Sequence, residues 1–181
     1  HSWWGFTNLP TVNKLNPEFM NFINNPKTGV LPFWQHLGIG GWRLDVADEF
    51  PDEFLDALRV TVKQTDPEAL IIGEVWEDAT TKYAYDKRRR YFLGKQLDSV
   101  MNYPWKDAII EFVQTKNAHA LRFAIEELID HYPKPALEVL MNLLDSHDTE
   151  RILTKIGFND TEAVPLQERP TLELTGAELD D

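Results

Sequence analysis

Four short apolar runs, each with an acid or an amide near its end, constrain this chain more than any other feature. Gly41-Trp-Arg-Leu-Asp-Val-Ala47, Leu70-Ile-Ile-Gly-Glu-Val-Trp76, Leu97-Asp-Ser-Val-Met-Asn-Tyr103 and Leu137-Glu-Val-Leu-Met-Asn-Leu-Leu144 read as short buried strands. Helical spacing fills much of the sequence between them. Over 52–64 it places Phe54, Leu55, Leu58 and Val62 on one face, with Asp52 and Glu53 where the macrodipole favours acids. Residues 104–115 are helical, and so are 118–131, with Leu121, Ile125, Leu128 and Ile129 on one face and Asn117 as the cap. Ahead of the first run, 18–37 is helical around Phe19, Phe22 and Ile23, interrupted at Asn25-Pro26 and Pro32. Strands alternating with helices imply an α/β fold with a parallel sheet. The pattern fits a doubly wound sheet and half of a (β/α)8 barrel equally well.

The bulk properties narrow the class of partner. A net charge of −12 over 181 residues argues against nucleic acid or an anionic membrane. The absence of cysteine removes disulfides, thiol nucleophiles and Cys-based metal sites, and it fits the cytoplasm. No apolar run reaches transmembrane length. Aromatic residues make up 12%, including six Trp, which hints at sugar stacking but equally at a large core. Lys87 to Arg90 reads as a solvated helix or loop face. Residues 158–181 are polar and acidic without apolar period, a disordered or truncated C-terminal segment.

Polar side chains gather where the strands end: Asp45, Asp48 and Glu49 after the first, Glu74 on the second, Asn102 on the third and His147-Asp148 after the fourth. Barrel enzymes collect catalytic groups at such positions. Strand alternation puts Arg43 and Asp45 on one face, with Trp42, Leu44 and Val46 on the other. A buried Arg beside an Asp holds the carboxylate ionised, as a nucleophile requires, although an ordinary ion pair reads the same way. Glu74 lies in an apolar run, and a carboxyl in apolar surroundings stays protonated as a general acid; a strand-end Glu reaching solvent is the plainer reading. Such a pair, spaced roughly 5–5.5 Å apart, performs retaining glycoside hydrolysis. A further carboxylate, Asp148, would stabilise positive charge near the anomeric carbon, and His147 would bond a hydroxyl. A His-Asp pair also occurs in metal-dependent phosphohydrolases, but His1, His36, His119 and His131 lack ligand spacing.

These segments resemble the α-amylase superfamily, glycoside hydrolase family thirteen. Gly41 to Ala47 resembles its second conserved region, Gly73-Glu74-Val75-Trp76 its third, and Ser146-His147-Asp148 its fourth, where Asn often stands in place of Ser146. The separations, 29 residues from Asp45 to Glu74 and 74 from Glu74 to Asp148, suit barrel strands four, five and seven, and Met101-Asn102-Tyr103-Pro104 fits strand six. Leu9 to Asn16, the Asp48-Glu49 pair and the Met-Asn-Tyr-Pro run resemble the neopullulanase, cyclomaltodextrinase and maltogenic amylase group.

The resemblance implies a partial (β/α)8 TIM barrel over residues 1–157, about strands four to seven with their helices. It implies Asp45 as nucleophile, Glu74 as acid/base and Asp148 as transition-state stabiliser, with Arg43 holding Asp45, His147 touching the sugar, and Trp76, Glu49 and Asn102 shaping the subsites beyond the cleaved bond. The implied substrate is an α-glucan: maltooligosaccharide, cyclodextrin, pullulan or starch. The implied location is cytoplasmic. The family's first conserved region, strands one to three and strand eight are not in the sequence, so the chain is expected to be an inactive fragment, prone to pair through its open edges as a homo-oligomer. No cofactor is implied for the chain itself; Ca2+ belongs with segments of the full-length enzyme. The alternative is a non-catalytic amylase-like domain, structural or transporter-associated, against which stand the three carboxylates, Arg43 and the lack of a membrane span.

Overall fold

In a computed structural model the described residues are 2–157, and they divide into two compact units that meet in sequence between Val100 and Met101. The expected C-terminal segment 158–181 lies outside the described residues.

The first unit is an α/β layer built on a parallel sheet of β1 (Gly41–Leu44), β2 (Leu70–Gly73) and β5 (Ser99–Val100), in the order β1-β2-β5. Trp42 pairs with Ile71, Arg43 with Ile72 and Leu44 with Gly73, and Gly73 pairs in turn with Val100. The strands are short because their ends leave the ladder for other tasks. Gly41 lies so close to Leu70 that an added Cβ would stand 2.4 Å from its carbonyl oxygen. Only glycine permits that approach.

Helices α1 (Pro17–Asn24), α2 (Val30–His36) and α3 (Asp52–Thr65) pack with one another. Asn16 caps α1 by accepting from the amides of Glu18 and Phe19, with Pro17 opening the first turn. The interruption expected at Asn25-Pro26 falls between α1 and α2. Pro32, however, sits inside α2, in the first turn, where no intrahelical donor is lost. The face of α3 buries Phe54, Leu55, Leu58 and Val62, as the spacing predicts, and Phe54 stacks on Phe50 and Phe19 with centroids 5.2 and 6.1 Å away.

One ionic cluster joins α3 to the sheet. Asp98, just before β5, accepts the amide of Ile71 at 2.9 Å and pairs with Arg59 Nη1 and Lys63 Nζ, each at 2.9 Å. Burial pushes the Asp98 carboxyl up, but the bonds from Lys63, Ile71 and Arg59 outweigh it and hold the group below the ordinary carboxylate range.

Between β2 and β5 the chain forms a small antiparallel hairpin, β3 (Tyr83–Ala84) and β4 (Lys87–Arg88). Its two turn residues, Tyr85 and Asp86, both have positive φ (53° and 58°), the primed turn that hairpin twist favours. The solvated face expected at Lys87 to Arg90 is thus only half right. Lys87 and Arg88 are exposed, but Arg89 is buried: it donates to the Phe50 carbonyl and to the Tyr91 hydroxyl. Arg90 pairs with Asp56 at 2.5 Å.

The second unit is helical: α4 (Tyr103–Thr115), α5 (Ala118–His131), the single turn α6 (Lys134–Leu137) and α7 (Ile152–Gly157). Asn117 caps α5 through the Ala120 amide. The expected strand over Leu137 to Leu144 shrinks to one parallel bridge, Met101 to Met141. Its first residue is taken by α6, where Pro133 and Pro135 fix helical entry and the turn bonds run on to Val139 and Leu140. The third run shortens for a similar reason, since Pro104 starts α4 at Tyr103. Among the described residues no helix is long and apolar enough to cross a membrane.

Candidate active site

The first unit brings four of the expected site residues to the end of β1 and β2. After Leu44 the ladder continues through Glu74, whose amide donates to the Leu44 carbonyl at 2.9 Å and whose carbonyl accepts from Ala47 at 3.1 Å. Between those bonds Val46 takes a left-handed conformation, φ 43° and ψ 65°. A β-branched residue there is strained by about 1–3 kcal/mol and persists only when its surroundings enforce it. Here the enforcing contact is the carboxylate of Glu74, which accepts the Val46 amide on Oε2 at 2.8 Å. The strict face alternation expected through Val46 therefore stops at Leu44.

Arg43 sits between the two acids. Its Nη1 donates to Asp45 Oδ1, and its Nη2 lies 3.0 Å from Glu74 Oε2 as a charge contact. One guanidinium thus spans both carboxylates. The two acids differ sharply in setting. The Asp45 side chain is 72% exposed and that of Glu74 only 4%. This corrects the expectation of a buried Arg43–Asp45 pair: the strand ends one residue too early to enclose Asp45. Nor are the surroundings of Glu74 apolar, because Arg43, the Val46 amide and the Trp76 indole N–H (3.1 Å to Oε1) all face its oxygens. Gly73 makes room for this arrangement. A Cβ on it would meet Leu97 Cδ1 at 2.6 Å and Ala47 Cβ at 3.1 Å.

The 3-10 turn Ala47–Glu49 carries the next two acids. Asp48 accepts the Tyr91 hydroxyl on Oδ1 and pairs with Lys82 Nζ at 3.0 Å on Oδ2. Burial, then the Asp48 bond, pushes the Tyr91 phenol far above its ordinary range. Glu49 Oε1 accepts from two aromatic donors, Trp4 Nε1 at 2.8 Å and the Tyr85 hydroxyl. That second bond, aided by burial, pushes the Tyr85 phenol up to about 12. Sequence reasoning missed Trp4, Tyr85 and the Val46 amide. Trp4 and Tyr85 lie 45 and 36 residues from Glu49 with no spacing signal, and the Val46 contact depends on a backbone angle.

The remaining expected residues belong to the second unit. Asn102 is buried and capped into its own unit: Oδ1 accepts the Trp105 amide, and Nδ2 donates to Asn142 Oδ1 at 2.8 Å. His147 and Asp148 follow the Met141 bridge on a turn. Ser146 Oγ accepts the Asp148 amide at 3.2 Å, Ser146 N–H donates to Thr149 Oγ1 at 2.8 Å, and His147 Nε2 lies 3.2 Å from Asp148 Oδ2. Among the described residues no cluster of three or more His, Asp or Glu is arranged to hold a metal ion.

The model of the alpha-amylase catalytic domain matches residues 3–175, and the chain belongs to that family. It is 42% identical over 154 residues to neopullulanase 2 of Thermoactinomyces vulgaris, covering 84% of this chain and 24% of that protein. It is 37% identical over 150 residues to a cyclomaltodextrinase of a Bacillus species, covering 81% of this chain and 25% of that one. Among solved structures, the maltose complex of a cyclic α-maltosyl-(1→6)-maltose hydrolase from Arthrobacter globiformis superposes with a TM-score of 0.76 at 30% identity, over 88% of this chain and 34% of the other. The chain thus spans about a quarter of the length of the curated relatives it matches. The family's fold is a (β/α)8 barrel, and the parallel first unit is an α/β part of one.

Proposed function

We propose that this chain carries the catalytic carboxylates of a retaining α-glucan hydrolase. β1, β2, β5 and the Met141 bridge then correspond to barrel strands four to seven. The observation that carries the reading is the single Arg43 guanidinium spanning Asp45 and Glu74, on strands whose register is fixed by the Leu44–Gly73 pair.

In this mechanism an Asp45 carboxylate oxygen attacks the anomeric carbon while Glu74 gives its proton to the departing glycosidic oxygen. The products are a glycosyl ester on Asp45 and a free alcohol. Glu74, now ionised, takes a proton from water, and the resulting oxygen displaces Asp45 with net retention. The exposure of Asp45 suits a group that must reach substrate, and the donors around Glu74 fix its carboxyl in place. Arg43 positions the nucleophile, and Trp76 and Glu49 shape the subsites beyond the cleaved bond. Asp148 stabilises the transition state and His147 contacts the sugar; their support is the Ser146-His147-Asp148 motif. Asn102, whose side chain is committed to α4 and Asn142, is the third residue given to those subsites, its support being the Met101-Asn102-Tyr103-Pro104 run.

The names of the relatives point to cyclodextrins and pullulan as substrates, the family resemblance adds short maltooligosaccharides, and the acidic charge points to a partner that is neither nucleic acid nor membrane. A cytoplasmic location, inactivity of the 181-residue chain by itself and self-association through open strand edges complete the proposal.

The test is kinetic. In a full-length enzyme carrying this chain, Asp45→Asn is expected to remove nearly all turnover of nitrophenyl maltoside with the fold intact. Glu74→Gln is expected to slow maltotriose cleavage far more than release of nitrophenol, whose departure needs little protonation. Near-normal rates in the first variant, or equal losses in the second, refute these roles.

A further inference from the structure

Asp45 lies one residue beyond the ladder of β1, on a segment held from two sides. Upstream is the strand itself, with Leu44 paired to Gly73. Downstream is the 3-10 turn Ala47–Glu49, and its point of attachment is the Asp48 carboxylate.

The groups that hold Asp48 come from the two sides of the small hairpin. Lys82 stands just before β3 and Tyr91 shortly after β4, and the Arg89 amide donates to the Lys82 carbonyl at 2.8 Å to close the hairpin base. Lys82 Nζ lies 3.0 Å from Asp48 Oδ2 and also pairs with Glu77, in the segment that follows Glu74. The Tyr91 hydroxyl donates to Asp48 Oδ1 and accepts from Arg89 Nε at 3.1 Å. Arg89 Nη2 continues to the Phe50 carbonyl at 2.6 Å and lies 3.9 Å from Asp52 Oδ1. The hairpin therefore grips Asp48, Phe50 and Asp52, all in the short segment that leads from Asp45 into α3. Both donors to Asp48 keep their protons. Burial, then the Asp48 bond, holds the Tyr91 phenol far above its ordinary range. Burial pulls the Lys82 ammonium down, but its bonds to Glu77 and Asp48 outweigh that and raise it.

Fold stability alone does not call for this arrangement. Tyr91 and Arg89 are both buried, and an apolar set of similar volume is often as stable as an enclosed ionic one or more so. What apolar packing lacks is direction, since a hydrogen bond fixes an angle as well as a distance. Direction matters here, because a misplacement of about 1 Å at a reacting group can slow a reaction about a hundredfold.

We propose that Lys82 and Tyr91 are positioning residues: through Asp48 they fix the turn after β1 and so aim the Asp45 carboxylate. The proposal rests on the hydrolase reading above and adds to it a hold on the nucleophile from the hairpin.

The test compares variants of a full-length enzyme carrying this chain, with kcat referred to the folded fraction read by circular dichroism. Lys82→Met keeps the stem and removes the charge. It is expected to lower kcat for nitrophenyl maltoside about tenfold while KM stays within about twofold. Lys82→Arg returns a cation to Asp48 and is expected to restore most of the rate. Tyr91→Phe, which loses one hydroxyl, is expected to lower kcat about fivefold by the same route. A purely structural role predicts instead a lower unfolding midpoint with kcat unchanged, and that result overturns the proposal. So does a Lys82→Arg variant no faster than Lys82→Met. Asp45→Asn measured alongside separates the two readings. If it abolishes turnover while Lys82→Met and Tyr91→Phe leave kcat unchanged, the positioning role fails and the hydrolase reading stands. If Asp45→Asn keeps its rate, the hydrolase reading itself fails.

Discussion

The end of β2 in the first unit and the 145–150 turn of the second hold acids of the same kind by different means. Glu74 is enclosed by its strand ladder, by Arg43, by the Val46 amide and by the Trp76 indole, and its side chain is almost fully buried. Asp148 rests on a turn, its amide held by Ser146 Oγ and its carboxylate beside His147, and its side chain is 40% exposed. Two backbone bonds to the neighbouring β1 segment fix the Glu74 side chain through the main chain. A turn fixes it only through local side-chain bonds, each worth about 1 kcal/mol. The first position is expected to be rigid and the second adjustable.

The strongest attempt to break that contrast is Arg43→Ala. It leaves Glu74 buried without its cation, and the expected loss is about 2–3 kcal/mol, below the 3–5 of a fully enclosed pair because Arg43 is itself 30% exposed. Denaturant unfolding reads the loss; a change under about 0.5 kcal/mol would mean that the ladder alone holds Glu74.

Next in size is Asp98→Asn, which tests whether the framework under β2 is ionic. Its carboxyl is held below the ordinary range, so its contribution is fully present above the unfolded-state pKa of about 3.9 and is lost as pH falls through the lower folded value. The variant is expected to lose about 2 kcal/mol at pH 7 and to show a flatter acid limb in stability against pH. An unchanged acid limb would place the coupling elsewhere.

The smallest expected effect sharpens the other side. Ser146→Ala removes the acceptor for the Asp148 amide at a partly exposed turn and is expected to cost about 0.5–1 kcal/mol, while amide exchange at Asp148 speeds up several-fold. A loss as large as that of Arg43→Ala would erase the distinction between strand-held and turn-held acids.

The same contrast explains what could be read from sequence. Helices α3, α4 and α5 are legible because their apolar spacing is local, as is the Asn117 cap of α5. The first two strands are legible as short apolar runs, and alternation sets Arg43 beside Asp45, but only the family resemblance brings Glu74 to them. The fourth strand was not: its leucine-rich composition suits either state, and Pro133 and Pro135 favoured a helical turn that used up its start. Arg89 looked solvated because it stands in a run of four basic residues, yet the hairpin turn buries it alone. The exposure of Asp45 is not legible from alternation, because β1 ends at Leu44 and Asp45 lies beyond it. The Trp4–Glu49–Tyr85 contacts join segments far apart in the chain through two unusual backbone angles, and no periodicity announces those.

The left-handed Val46 has one more consequence. Its N–H points at Glu74 Oε2, so a backbone proton and a side-chain carboxyl are wired together. Any change that moves that oxygen lengthens the bond, and the nitrogen of Val46 feels it at once. A single isotope label at this valine therefore turns the polypeptide into its own gauge, with a resonance that reports whether the Glu74 side chain is seated.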